Sequence, residues 1–477
     1  MRVEVHLPSG SSCSLEVSDR GSVAELRRAA QLHFRRGFLR LVLNGQALED
    51  ASTLSGAGLQ DGDVVHCVVL FAALSSTGRA FALLVGDAVV TWGSEGEGGD
   101  CQVELKKIQA IQAAREGAFA ALREDGTVVT WGSPEFGGDS SQVQEKLTGV
   151  QQIQATECSF AALRADGTIV TWGDSFCGGN SSYVQQLKGA TGIQASDSAF
   201  AALLDTGRAV VWGHPSCGGA MSSREQEQLR GVREIQSTRL GALAAILEDG
   251  RVVCWGLSSE GGNSCRVADQ LIDVQQIQGT ASAFAAIRKD GTVVTWGLAA
   301  SGGDSSTVQD ELVGVQQIQA TEAAFAAVRA DGTVVTWGNP QFGGDSSVVR
   351  EQLVQVQRIQ ATAKAFAAIC QDGTAVSWGH PQSGDSSKVQ HQLVQVQQIQ
   401  ATQSAFAAIR ADGTVVTWGD PDFGGDSSKV QEQLVHVSQI QATESAFAAV
   451  TACGTLVTWG NPYAGGDSSM TVASCWM

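Results

Sequence analysis

The segment "RADGTVVTWGD", residues 410–420, recurs in close copies along most of the 477-residue chain. Asp412 and Gly413 form an Asp-Gly pair, which is a strong signal for a β-hairpin because the tight turn needs a residue with positive φ. The runs on either side, "AFAAI" and "TVVTWG", contain the small, β-branched and aromatic residues found in buried strands. The segment therefore predicts two antiparallel strands, the second ending at Trp418 and Gly419.

Ten tryptophans show that this hairpin is periodic. Successive members lie 39 to 43 residues apart, so the chain carries an internal repeat. The ten are Trp92, Trp131, Trp172, Trp212, Trp255, Trp296, Trp337, Trp378, Trp418 and Trp459. A period of this length is typical of propellers and solenoids, whose units bury their apolar surfaces only against one another. We therefore predict one repeat domain over residues 71–477.

A complete unit is "VQQIQATQSAFAAIRADGTVVTWGDPDFGGDSSKVQEQL". "VQQIQAT" predicts a strand before the hairpin, and "DPDFGGDSS" predicts a loop. "SKVQEQL" predicts a short helix with Ser428 as its N-cap and Gln431 completing a capping box. Because the hairpin strands are apolar or small on both faces, the sheets must stack. The predicted fold is mainly β and propeller-like, with ten three-stranded units; one larger ring, a seven-bladed ring with extra units and an open spiral all remain possible.

The units resemble the repeat of the regulator of chromosome condensation family. The resemblance lies in segments such as "VSQIQATESAFAAVTACGTLVTWG", with a strand, an Ala-Ala strand, a turn and a final Trp-Gly. It implies a β-propeller and, by analogy of fold, nucleotide exchange on a small GTPase. The units depart from the family in two places: Thr with Ala or Phe replaces its Gly and His before the second strand, and "GGDSS" replaces its "GQLG" loop.

Residues 1–70 predict a separate domain. "MRVEVHLPSGSSCSLEV" alternates apolar and polar residues around a turn, as a β-hairpin does. "SVAELRRAAQLHF" has helical spacing, with Ser22 and Glu25 placed as a capping box. "LRLVLNGQALED" predicts a strand and an Asn-Gly turn, and "DGDVVHCVVL" a last strand. The order is two strands, a helix and further strands.

This domain resembles ubiquitin itself, in the segments "MRVEVHLPSG", "LVLNGQALEDASTLSGAGLQDGD" and "VVHCVVL". The resemblance implies an α+β, β-grasp fold and a protein-binding patch on the sheet formed by Arg40, Leu41, Val42, His66 and Val68. Pro8 stands where the family has a patch leucine. No Gly-Gly follows Leu70, and residues 1–70 contain no lysine, so we expect an integral docking domain and not a conjugated modifier.

Composition excludes several classes of protein. The net charge of −18 opposes binding of nucleic acid, and no apolar run is long enough to cross a membrane. None of the eleven cysteines lies in a Cys-x-x-Cys pair, so we expect reduced thiols in a cytoplasmic or nuclear protein. They are Cys13, Cys67, Cys101, Cys158, Cys177, Cys217, Cys254, Cys265, Cys370, Cys453 and Cys475.

Catalytic and cofactor signatures are also lacking. "FGGDSS" has no lysine after its glycines, as a phosphate loop requires, and too few carboxylates for calcium. The seven histidines show no metal-ligand spacing, and the chain ends just after the last unit, so we expect no HECT-type catalytic lobe. The sequence predicts no catalytic, cofactor-binding or metal-binding residues.

The expected function is therefore that of a non-enzymatic adaptor linked to the ubiquitin system. Residues 1–70 would dock on a ubiquitin receptor, a proteasome subunit or a ligase component, and the propeller would hold an unknown protein. The alternatives are a guanine-nucleotide exchange factor and the substrate-receptor subunit of a ubiquitin ligase. Because the units are nearly identical, we expect specificity where they diverge, at about residues 205–265. The glutamines of "VQQIQ" either line a channel or solvate an edge.

Overall fold

The computed structural model describes residues 1–18, 21–34, 38–70, 72–86, 88–101, 103–180, 184–221, 223–452 and 454–467. Within them, no helix is long and apolar enough to cross a membrane.

The N-terminal domain is a five-stranded sheet packed on one helix. Its elements are β1 (Arg2–His6), β2 (Ser12–Glu16), α1 (Val23–Phe34), β3 (Leu39–Leu43), β4 (Gln46–Ala47) and β5 (Val64–Val69). The strand order is β2-β1-β5-β3-β4, with β1 and β5 parallel. The predicted capping box is confirmed: Ser22 N–H donates to Glu25 at 3.0 Å, and Glu25 N–H donates back to Ser22 Oγ at 3.2 Å. Leu26 is fully buried in the core between helix and sheet.

The rest of the chain forms ten antiparallel three-stranded sheets, which we call units 1 to 10. Their strands are, unit by unit, β6 (Ala72–Ser76), β7 (Ala80–Val85), β8 (Ala88–Gly93); β9 (Ile108–Ala114), β10 (Ala118–Arg123), β11 (Val128–Gly132); β12 (Val150–Ala155), β13 (Ser159–Arg164), β14 (Ile169–Gly173); β15 (Ala190–Ala195), β16 (Ala199–Leu204), β17 (Ala209–Gly213); β18 (Val232–Ser237), β19 (Ala242–Leu247), β20 (Val252–Gly256); β21 (Val274–Gly279), β22 (Ala283–Arg288), β23 (Val293–Gly297); β24 (Val315–Ala320), β25 (Ala324–Arg329), β26 (Val334–Gly338); β27 (Val356–Ala361), β28 (Ala365–Cys370), β29 (Ala375–Gly379); β30 (Val396–Ala401), β31 (Ala405–Arg410), β32 (Val415–Gly419); β33 (Val437–Ala442), β34 (Ala446–Thr451) and β35 (Leu456–Gly460). Two short helices interrupt the loops, α2 (Ser223–Gln228) before unit 5 and α3 (Pro381–Gly384) before unit 9. This confirms the mainly-β repeat with three strands per unit.

The Asp-Gly hairpin forms as predicted. In unit 9, Gly413 has φ +79° and donates its N–H to Arg410 O at 2.8 Å. Asp412 Oδ1 accepts from both the N–H and the hydroxyl of Thr414, at 2.9 and 2.6 Å. The glycine thus supplies the backbone conformation, and the aspartate fixes the residue that starts the next strand.

The helix predicted over "SKVQEQL" is wrong. The segment contains only a 3-10 turn, Gln431–Gln433, whose N-cap is Val430. Ser428 donates its N–H to Asp426 and caps no helix. Gln431 instead donates its side-chain amide to Val415 O at 2.9 Å, on the outermost strand of the unit. The glutamine thus satisfies a carbonyl on the open edge of the sheet and does not cap a helix.

Stacked aromatic pairs lie at the junctions between units: each pair belongs to one unit and packs against a neighbouring unit, as Phe406 and Trp418 pack on Ala365 of unit 8. Phe406 is fully buried and stacks on Trp418 with ring centroids 5.1 Å apart, and each unit except unit 5 has an equivalent Phe–Trp pair. Leu243 replaces the phenylalanine in unit 5. In seven units the indole N–H donates to a glycine carbonyl in the loop before that unit, as Trp378 does to Gly343 at 3.0 Å. In unit 1 the acceptor is Gly465, in the loop after unit 10.

Unit 1 packs against unit 10. Trp92 Nε1 donates to Gly465 O at 3.2 Å, and Ser76 Oγ donates to Ala442 O at 2.9 Å. Phe81 and Trp92 share a buried cluster with Ala446 and other residues of unit 10. The junction of the first and last units therefore has the same kind of contacts as the junctions between consecutive units.

One cysteine expectation is wrong. Cys158 and Cys177, which were expected to be reduced, form a disulfide, with Cα atoms 6.2 Å apart. The repeat brings together a loop between strands and the loop that ends the same unit, a proximity that spacing along the chain does not reveal. The other cysteines of the described residues are free thiols: Cys13, Cys67, Cys101, Cys217, Cys254, Cys265 and Cys370. Cys453 and Cys475 lie outside the described residues.

Candidate functional site

Four of the five predicted patch residues lie on one outer face of the N-terminal sheet. In the antiparallel register of β3 and β5, Arg40 stands opposite Val68 and Val42 opposite His66. Side chains alternate between faces along a strand, so these two pairs share a face. Val68 is 44% exposed, and the ring of His66 meets that of His6 edge-on at 5.9 Å.

The fifth residue, Leu41, lies on the opposite face. It pairs with Cys67 and is 1% exposed, inside the core beneath α1. Strand alternation requires this placement, because Leu41 lies between two outward-facing residues. Pro8 is exposed in the turn between β1 and β2. The surface available to a partner is therefore Arg40, Val42, His66 and Val68, which we call the docking face.

The N-terminal sheet contacts the repeat region at one end. Phe38, just before β3, is 7% exposed and lies in a buried cluster with Phe81 and Val85 of unit 1, against which Leu70 also packs. Leu70 N–H donates to Phe38 O at 2.9 Å. The end of the N-terminal sheet is thus held against unit 1 by apolar contact.

A second candidate site lies where the loops between the first and second strands of the units meet. Main-chain hydrogen bonds join these loops from unit to unit. Gly78 N–H donates to Arg115 O, Glu157 N–H to Asp197 O, and Glu444 N–H to Gly78 O, at 2.7, 2.8 and 3.2 Å. Glu322 N–H donates in the same way to Ala363 O at 2.9 Å. The bonds hold the loops in register around one opening.

The opening contains a cavity of about 590 Å³ with charged walls. We call it the charged mouth and define it by its charged lining residues, Arg115, Asp197, Arg239, Glu322 and Glu444. Arg115 bridges two carboxylates, with Nε 2.5 Å from Glu444 and a terminal nitrogen 3.1 Å from Glu157. Arg239 pairs with Glu322.

The carboxylates of the charged mouth outnumber its guanidinium groups. Burial raises the pKa of Asp197 even though the charges of Arg115 and Arg239 oppose the shift. Burial, followed by repulsion from Asp197, likewise raises the pKa of Glu157. The ionised form of these groups is therefore less favourable here than in water, and a positive charge entering the mouth would relieve it.

Sequence reasoning missed the charged mouth, although a signal was present. The residue after "QAT" varies among glutamate, glutamine and alanine, while the residues around it hardly change: it is Glu157, Glu322, Ala363, Gln403 and Glu444. A single variable position inside a strongly repeated segment marks a place where the surfaces of the units differ. The divergent region around 205–265 contributes Arg239 to this site. The glutamines also have a role that was not anticipated: Gln152 donates its side-chain amide to Ile193 O of the next unit at 3.1 Å.

Metal-binding side chains cluster once among the described residues. The group is Cys158, Asp174 and Cys177, and its two sulfur atoms are joined in the disulfide. Asp174 also accepts from the N–H of Phe176 at 2.6 Å and so caps its own loop.

Residues 2–71 match the model of the ubiquitin family. No curated protein matches the chain. Solved structures similar to parts of it include the computationally designed Ika8 protein, 15% identical with a TM-score of 0.31, covering 65% of this chain and 96% of that one. The ubiquitin of Caldiarchaeum subterraneum is 27% identical with a TM-score of 0.14, covering 14% and 91%. The ectodomain of the receptor kinase CR4 from Physcomitrella patens is 15% identical with a TM-score of 0.31, covering 55% and 70%. The chain thus joins a ubiquitin-like domain to a mainly-β repeat region of three-stranded sheets.

Proposed function

We propose that this protein is a non-enzymatic adaptor of the ubiquitin system, which docks through its ubiquitin-like domain and holds a protein partner on its repeat region. The observation that carries the proposal is the docking face. Val42, His66 and Val68 share one outer face of a domain that matches the ubiquitin family, and Val68 is 44% exposed. Apolar side chains grouped on a surface and rimmed by polar residues mark protein–protein interaction sites. The partner class is a ubiquitin receptor, a proteasome subunit or a ligase component.

We further propose that the ten units form one closed propeller related to the chromosome-condensation regulators. The hydrogen bond from Trp92 to Gly465 supports closure, because equivalent bonds join consecutive units. The main-chain bond from Glu444 to Gly78 supports it from the loop side. Closure would remove the two terminal sheet faces that an open array leaves uncovered.

The charged mouth is the proposed seat of the second partner. Its carboxylates outnumber its guanidinium groups, and burial raises the pKa of Asp197 and of the neighbouring Glu157, which favours a segment that carries lysine or arginine. The flat, repeated sheets supply rigidity, and the variable residues at the mouth supply selectivity. Binding of both partners at once would bring one to the other, which is the action of an adaptor.

The test is binding of the full chain to a purified proteasomal ubiquitin receptor. Val42→Asp places a charge in the centre of the docking face, and we expect affinity to fall by about tenfold or more. Val103→Asp is the control, since Val103 is an exposed valine in the repeat region. Absence of binding by the parent chain, or equal binding by both variants, would refute the docking half of the proposal.

A further inference from the structure

Unit 9 differs from the other units in the loop that precedes it. The other loops of this kind contain two glycines, as in "NPQFGGDSS" at residues 339–347, whereas the loop before unit 9 is "HPQSGDSS" at residues 380–387. The missing residue is the glycine whose carbonyl accepts the indole N–H of the following unit. In the shortened loop Ser383 O faces Gly419 instead: a Cβ atom added to Gly419 would lie 3.1 Å from this oxygen.

The deletion leaves Trp418 without a partner. Its side chain is 3% exposed, and its buried Nε1 makes no hydrogen bond within the described residues. Trp212 has the same unsatisfied group after a loop of ordinary length, so the missing bond alone does not mark a site. The shortened loop supplies the second observation, because it opens space beside the tryptophan.

That space is a groove of about 720 Å³ on the outer rim, which we call the rim groove. All five residues of β32, Val415–Gly419, line it, and the loops at 381–392 and 420–431 form its walls. The corresponding groove beside β26 in unit 7, where the loop before the unit has full length, holds only about 270 Å³.

The floor of the rim groove offers unpaired main-chain groups. Asp420 N–H donates to Ser404 O and Arg410 N–H donates to Thr414 O, at 3.0 and 2.9 Å. Both bonds lie in the register of the β31–β32 ladder, in which hydrogen-bonded and non-hydrogen-bonded pairs alternate. By this alternation Thr417 stands in a non-hydrogen-bonded pair. Its N–H and C=O therefore point away from β31 and toward the groove. Gln431 already covers the neighbouring carbonyl, that of Val415.

The walls of the groove add charge. Asp385, Asp420 and Asp426 face a single cation, Lys388. Main-chain hydrogen bonds, from Ser387 and Ser428 respectively, lower the pKa of Asp385 and Asp426, so both remain ionised at neutral pH. A bound segment would therefore meet net negative charge.

We propose that the rim groove binds an extended, basic peptide segment of a partner protein, which pairs with the outer edge of β32 as a fourth strand. Extended peptides add to open sheet edges by main-chain hydrogen bonding, and side-chain pockets then select the sequence. The five-residue edge accommodates a comparable length of peptide. The site is separate from both the docking face and the charged mouth.

The experiment selects random nine-residue peptides, displayed on phage, against the full chain and measures the affinity of the selected peptides by fluorescence polarisation. The diagnostic variant inserts one glycine between Ser383 and Gly384, which restores the usual loop and supplies an acceptor for Trp418. We expect peptides rich in lysine and arginine whose affinity falls by roughly tenfold or more in this variant, while its melting temperature is unchanged or higher.

A second pair of variants keeps the test decisive if the insertion disturbs folding. Asp385→Lys reverses charge in the groove wall, and Asp345→Lys makes the same change at the equivalent position of the preceding loop. We expect only Asp385→Lys to weaken binding. Failure to select any basic peptide, or binding indifferent to both the insertion and Asp385→Lys, would overturn the proposal.

Discussion

At the scale of single residues, the repeated tryptophans are structural, and their surroundings predict how much each contributes. Trp378 is 6% exposed, stacks on Phe366 and donates to Gly343 O, whereas Trp418 is equally well stacked but has no acceptor. Replacing either by alanine should cost about 3–5 kcal/mol of unfolding free energy through the cavity that it leaves. Trp378→Ala should cost about 1 kcal/mol more, for the lost hydrogen bond. Urea unfolding of both variants measures this; a larger loss for Trp418→Ala would contradict it.

Asp197 makes a prediction about pH. Burial raises its pKa, so between the ordinary aspartate value of about 4 and the raised value the folded protein binds more protons than the unfolded chain. Stability must then decline as pH rises through that window. Asp197→Asn removes the titration, and we expect its melting temperature to exceed the parent's at pH 7 and to converge with it near pH 4.

Asp412→Asn should have the opposite effect and lower the melting temperature at pH 7. Hydrogen bonds from Thr414 lower the pKa of Asp412, so the stability that they provide is present at neutral pH and is lost only in acid.

At the scale of elements, glutamine side chains protect the outer edges of four of the described sheets. Each donates to a carbonyl on the third strand of the unit before it, from Gln144, Gln309, Gln390 and Gln431. Gln431 donates to Val415 O, and its own carbonyl accepts from Ser427 Oγ at 2.8 Å. Gln431→Ala should lower the unfolding free energy by about 1 kcal/mol. Gln433, exposed in the same 3-10 turn, is the matched control, and Gln433→Ala should be almost neutral. Equal losses in the two variants would show that the turn, and not the hydrogen bond, protects the edge.

These elements also show what the sequence predicts and what it does not. The hairpin at Asp412-Gly413 and the capping box at Ser22 and Glu25 are local, since each depends on residues at most four apart, and both were predictable. The pattern at Ser428 and Gln431 does not predict the structure formed, because the partner of the glutamine is Val415 in β32, 16 residues earlier in the chain. The placement of Leu41 in the core follows from strand alternation, which the resemblance to ubiquitin alone had not separated from the docking face.

At the scale of the whole molecule, long-range proximity decides the charged mouth. Arg115 and Glu444 are 329 residues apart in sequence and only 2.5 Å apart in space. No local pattern predicts such a pair, because it depends on the number of units and on the angle between neighbours. The repeat period predicts the strands of each unit. It does not predict whether the ring closes, because closure also depends on the number of units and on the angle between neighbours.

Ring closure can be tested at one glycine. Gly465 has φ +88°, and a Cβ atom there would lie 2.6 Å from Phe81 of unit 1. Gly424 has the same role between units 9 and 10, with φ +91° and a Cβ position 2.7 Å from Phe447. If the ring is closed in solution, Gly465→Ala and Gly424→Ala should each cost roughly 2–4 kcal/mol, from backbone strain and from overlap with the aromatic ring.

Gly10→Ala separates these two causes, since Gly10 has φ +89° with no atom near its Cβ position, and it should cost only the strain. Urea unfolding of the three variants decides the matter. A Gly465→Ala variant that loses no more than Gly10→Ala, beside a strongly destabilised Gly424→Ala, would mean that units 1 and 10 are apart in solution. The repeat would then be an open spiral with two uncovered end faces, and the charged mouth, whose Arg115–Glu444 pair depends on closure, would lose one of its walls.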